Sequence, residues 1–206
     1  MLRFARAAAL IAFFGGQAAM AEDRMPPLAP EAYSEQQKKA AEEFLAARKV
    51  PVFGPFLPLM RSPEVMNQAR AMGDYLRYRS SIGTTLSELV ILVTAREWTQ
   101  DYEWYVHYPI ALKAGIRKDI ADAIADARRP EGMSDDEATV YDFSLELHRN
   151  KRVSDATYAR AVKRFGEQGV IDLTAINGYY TLLAMAMNTT RMPIPADGKK
   201  LPRLPE

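Results

Sequence analysis

The chain is 206 residues long and 48% hydrophobic, enough for one full core at the ~100–200 residues of a typical domain. Its 27 basic residues stand against 26 acidic ones, which leaves no electrostatic footprint for nucleic acid. It has no Cys, and therefore no disulfide, zinc–thiolate site, iron–sulfur cluster or thiol nucleophile.

Residues 1–21 have the three-part order of a signal peptide. Arg3 and Arg6 form a basic start, the run from Ala7 to Phe14 is apolar, and Ala19-Met20-Ala21 offers small residues for cleavage. The apolar run is too short to cross a bilayer core of ~30 Å as a permanent helix. The reading is an exported protein, periplasmic in a bacterium or secreted, beginning at Glu22 and without a membrane span once the signal is removed.

The rest reads as helix and loop, so the expected fold class is all-α. Met25 to Pro30 is an extended lead-in, because Pro neither continues a helix nor donates to a ladder. A helix follows over Glu31 to Lys49, with Ala40, Ala41, Phe44 and Leu45 on one stripe. Val50 to Leu59 holds three Pro and one Gly and is expected as a loop. It is an apolar loop, with Phe53, Phe56 and Leu57, of the kind that is pinned to a core or lines a pocket. Ser62-Pro63 starts the next helix, to Tyr78.

Thr85-Leu-Ser-Glu88 fits a capping box ahead of the most apolar run, Leu89 to Val93, and the pattern continues through Ala95, Trp98, Tyr102 and Val106 without a breaker. Gly115 ends that segment, and a short helix covers Arg117 to Ala127. Ser134-Asp-Asp-Glu137 is a second capping box, opening a helix to Arg149. Ser154 caps another, punctuated by Gly166 and Gly169, and Val170 to Asn188 forms a last apolar helix. Asp172 and Asn177 mark it as a core helix and not a membrane span. The organisation is thus a helix and Pro-rich loop over 22–59, a helical domain over 60–190 and a Pro-rich arm over 191–206.

Three places hold polar groups that are hard to explain as surface. Glu88 either caps its own helix at Thr85, the reading sequence favours, or is carried into the core. There, desolvation favours the protonated form and equips a carboxyl for proton transfer. Glu103 and His107 are four residues apart, within about 40° of each other on a helix. They form an ordinary helical pair, a carboxylate-held general base or, the least favoured option, half of a metal site. Arg96 and Glu97 lie among apolar neighbours, and Arg96 suits either a substrate carboxylate or an ion pair. His148, at a helix C-terminus where cations are favoured, is read as structural. Tyr179, Tyr180, Met185 and Met187 are read as core. No metal site, Gly-rich phosphate loop, Ser nucleophile elbow or dinucleotide fingerprint is present, and no cofactor is expected.

The stretch from Glu88 through His107 to Ala111-Leu-Lys-Ala-Gly115 resembles the signature of the carboxymuconolactone decarboxylase family, which shares the AhpD-like all-helical fold. Its marks are a Glu opening an apolar helix, a His nineteen residues later and an Ala-x-x-Ala-Gly helix end. Phe165-Gly-Glu-Gln-Gly with Gly178-Tyr-Tyr and Asn188 is similar to the distal half of longer members, so the resemblance spans residues 60 to 195. In the peroxidase branch a Cys-x-x-Cys pair does the redox work, and those positions fall on Gln100 and Glu103 here. Thiol peroxidase chemistry is therefore excluded. The decarboxylase branch needs no thiol, metal or organic cofactor. The resemblance implies a lyase or isomerase acting on a small unsaturated carboxylate or lactone. In that reading His107 transfers the proton, Glu88 and Glu103 set its state, and Arg96, Arg77 or Arg79 receives the carboxylate beside Trp104. It also implies a homo-oligomer, a trimer or a hexamer built from trimers. The competing reading is a periplasmic ligand-binding or assembly protein that kept the fold and lost the chemistry.

Overall fold

The computed structural model describes residues 22–204, so the expected signal peptide lies outside the described residues. A 3-10 turn over Pro30–Ala32 leads to eight α-helices, and no strand occurs among the described residues. They are α1 (Glu35–Arg48), α2 (Phe56–Leu59), α3 (Pro63–Tyr78), α4 (Gly83–Glu97), α5 (Asp101–Lys113), α6 (Lys118–Ala125), α7 (Asp135–Asn150) and α8 (Asp155–Thr190).

Helix α4 is the axis of the molecule. Every residue from Ser87 to Arg96 is buried, and α3, α5, α6, α7 and α8 all pack against it. This is why its sequence lacks an amphipathic stripe: a helix surrounded on all sides has no solvent face to make polar. Helix α8 passes a length-and-composition test for a membrane span, yet about half of it is buried against α3, α4 and α7. Asp172 in that helix accepts hydrogen bonds from Ser81 N and Oγ, both at 2.8 Å, and from the Tyr75 hydroxyl at 3.2 Å.

The capping readings divide. Ser134 and Glu137 form the expected reciprocal box, and the Ser154 hydroxyl caps α8. Thr85 and Glu88 do not form one. Helix α4 begins earlier, at Gly83, and the Thr85 hydroxyl donates to the Ala114 carbonyl at 2.7 Å. A second correction concerns the long helix expected through Val106. Thr99 takes a left-handed φ of 46° and breaks it, and the Gln100 side chain then caps α5 through Tyr102 N and Glu103 N. The break lets α5 turn back along α4. Conversely, Gly166 only kinks α8, with φ 67° and ψ 178°, a conformation costly for any residue with a Cβ. Gly169 lies buried inside the helix. The Pro-rich loop also contains one helical turn, α2.

The C-terminal arm is tied to the body. Leu201 is buried, its N–H donates to Asp101 Oδ1 at 3.0 Å, and Arg203 pairs with the same carboxylate.

Candidate active-site cavity

Helices α4 and α5 lie side by side in opposite sense, and this places Glu88 opposite His107. His107 Nδ1 donates to Glu88 Oε2 at 2.7 Å, with both side chains almost wholly buried. Arg77 enters from α3, its Nη2 3.8 Å from Glu88 Oε1. Tyr180 from α8 sets its ring edge-on to the imidazole, centroids 5.2 Å apart, and Tyr179 packs edge-on against Tyr180. These elements close a cavity with room for the centres of water-sized molecules over about 50 Å³. His107, Glu103, Arg77, Tyr179 and Tyr180 line it, and Phe53, Pro55, Phe56 and Tyr102 form the apolar wall.

The electrostatics follow from burial. Desolvation lowers the His107 pKa, the hydrogen bond and charge of Glu88 partly offset it, and Arg77 lowers it further. The neutral ring with its proton on Nδ1 then has Nε2 free to accept another proton, since no protein group is bonded to it. Glu103 is 3% exposed, and neither of its oxygens has a hydrogen-bond partner. Burial raises its pKa well above the ordinary carboxyl value. Burial also pushes the Tyr179 phenol up to about 12 and the Tyr180 phenol well above its usual value, so both are neutral donors.

The sequence-derived candidates separate cleanly. Glu88, Glu103, His107 and Arg77 come together at the cavity. Glu103 and His107 share its wall, but the pair expected at four-residue spacing is replaced by the longer-range pair of His107 with Glu88. Arg96 is elsewhere: buried, it donates to the carbonyls of Ala125 at 3.0 Å and Pro202 at 2.7 Å, and to the Thr99 hydroxyl at 2.7 Å. Its partners are two backbone carbonyls and a hydroxyl, not Glu97, which binds Arg149. Arg79 is exposed over the Tyr75 ring. Trp104 packs beside Tyr108 and lines a separate groove. His148 is structural for a different reason than its helix end. Its Nε2 meets the Thr94 hydroxyl at 3.1 Å, and burial lowers its pKa.

Arg48 is a lining residue that sequence reasoning missed. It is held by Asp74 at 2.9 Å and lies over the Phe56 ring, so its charge is already matched. The run of Phe in the Pro-rich loop was the only signal pointing to this wall. Among the described residues no group of three His, Asp or Glu is arranged to hold a metal ion.

No protein-family model and no curated protein matches the chain. Solved structures do. An uncharacterized peroxidase-related protein with an alkylhydroperoxidase AhpD core, from Ralstonia eutropha JMP134, superposes with a TM-score of 0.67 at 17% identity, over 84% of this chain and 93% of that one. An uncharacterized peroxidase-related protein from Silicibacter sp. TM1040 gives 0.64 at 14% identity, over 91% and 97%. A cysteine-to-alanine variant of the debrominase Bmp8, bound to 2,3,4-tribromopyrrole, gives 0.66 at 12% identity, over 86% and 94%. The chain therefore has the AhpD-like fold, without any cysteine.

Proposed function

We propose that this chain is an exported, cofactor-independent lyase or isomerase that moves a proton on a small unsaturated carboxylate or lactone. The observation that carries the reading is the buried His107–Glu88 hydrogen bond of 2.7 Å, which leaves Nε2 free beside a cavity that Arg77 also lines. Glu88 fixes the tautomer and orientation of the ring and steadies the imidazolium once it forms. Arg77 has a buried Nε without a partner and is the cation available to a ligand carboxylate or lactone oxygen. For a decarboxylation, the bond to the carboxylate breaks and carbon dioxide leaves. The electron pair enters the unsaturated system, and the carbon takes a solvent proton that the otherwise neutral His107 first picks up on Nε2.

The cavity as it stands holds only small molecules. Phe53, 40% exposed, forms the outer wall and packs edge-on against Phe44 and Phe56. The order of residues 1–21 supports export, and the exposed apolar side chains Met72, Tyr78 and Ile171 support self-association.

The test is carbon dioxide release and ultraviolet change with 4-carboxymuconolactone, run beside His107→Gln. Turnover that disappears in the folded variant supports the reading. Equal rates in the two proteins would remove His107 from the chemistry. Binding without turnover would favour the ligand-binding alternative.

A further inference from the structure

Among the described residues, Glu103 is the one buried acid whose side chain has no partner for either oxygen. Its backbone N–H is bonded to the Gln100 side chain, while both carboxyl oxygens are buried and without a hydrogen bond. A bare carboxylate in such a place would carry an uncompensated desolvation penalty of several kcal/mol, roughly, so the group keeps its proton. The proton needs an acceptor, and the space open to it is the cavity that Glu103 and His107 line one turn apart on α5. The charged and titratable groups facing this space are Arg77 from α3, Tyr179 and Tyr180 from α8, Arg48 from α1 and, on α5 itself, Tyr102 and His107, with Glu88 of α4 bonded behind the imidazole.

We propose that Glu103 is the acid of this cavity, handing its proton to an oxygen of the bound molecule while His107 acts as base on a nearby carbon. The inference rests on the proton-transfer reading of the same site and narrows its ligand. The occupant carries a carbonyl or lactone oxygen as acceptor, conjugated to an acidic C–H. In the step, His107 Nε2 takes the C–H proton, the electron pair moves onto the carbonyl oxygen, and that oxygen takes the Glu103 proton. An enol, an imidazolium held by Glu88 and a Glu103 carboxylate result. Return of the His107 proton to a different carbon of the conjugated system, and of the enol proton to Glu103, completes an isomerisation and restores both groups. No oxidant or reductant enters. Two neighbouring carboxyls with opposite assignments, one held by His107 and one left as free acid, are how such sites divide base from acid.

Infrared difference spectra between wild type and Glu103→Gln test this without any turnover. The expected result is a protonated-carboxyl band at neutral pH in the wild type only, moving to lower frequency when γ-crotonolactone is added. Glu103→Leu is the second reference if the Gln variant fails to fold. Absence of the band, or a band that γ-crotonolactone does not move, overturns the assignment. A band present and shifted, in a protein that turns nothing over, upholds Glu103 as the ligand's hydrogen-bond donor and overturns the proton-transfer reading of His107.

Discussion

At the scale of single residues, the two carboxyls of the cavity make opposite demands on stability. In the unfolded chain the Glu103 proton leaves near the ordinary 4.5, whereas burial holds it to well above that in the folded protein. Between those values the folded state carries the extra proton. The stabilisation is therefore complete below the lower value and falls as pH rises, by about 1.4 kcal/mol per pH unit. Glu103→Gln removes that slope. Thermal melts of the two proteins should coincide at about pH 4, and the variant should gain steadily above about pH 5. A gap that does not widen with pH would contradict the neutral buried acid. Glu88→Ala works differently, because it strands the His107 Nδ1–H in the core, and denaturant titration should show a loss of about 1–3 kcal/mol.

Among elements, the site depends on how closely α3 approaches α8. A Cβ on Gly73 would sit 2.3 Å from the Tyr179 hydroxyl oxygen and 2.7 Å from its Cζ. Gly73→Ala should therefore displace Tyr179 and cost about 1–3 kcal/mol in a chemical melt. Adding Tyr179→Phe, which deletes the closest atom, should recover part of the loss; no recovery would mean that the strain lies in the backbone. This approach also shows what sequence could and could not supply. The all-helical class, the Ser134 and Ser154 caps and the pocket-forming Phe loop were legible, because each depends on residues close in the chain. The partner of Glu88 was not. Thr85-x-x-Glu88 matches a capping box in spelling, and only the tertiary placement of α5 makes His107 the better partner. The break at Thr99 was hidden as well, since neither Gly nor Pro marks it. Arg48 lay outside the recognised stretch, and its place at the cavity follows from the folding of α1 onto α3.

For the whole molecule, Arg96 is a clamp that joins α4, the end of α6 and the C-terminal arm through the carbonyls of Ala125 and Pro202. Arg96→Met should lower stability by about 1.5–3 kcal/mol, the range for hydrogen bonds made by a charged group. It should leave the cavity intact, which γ-crotonolactone binding would register as an unchanged affinity. The central claim, that the fold presents a neutral His107 to a cavity with Glu88 behind it, is tested most directly by nitrogen NMR of the imidazoles. With two His in the chain, a His148→Gln variant completes the assignment. The account predicts the Nδ1–H tautomer for His107, a protonation midpoint below the ordinary 6.5, and loss of that tautomer in Glu88→Gln. An Nε2–H ring titrating as it would in water would contradict it.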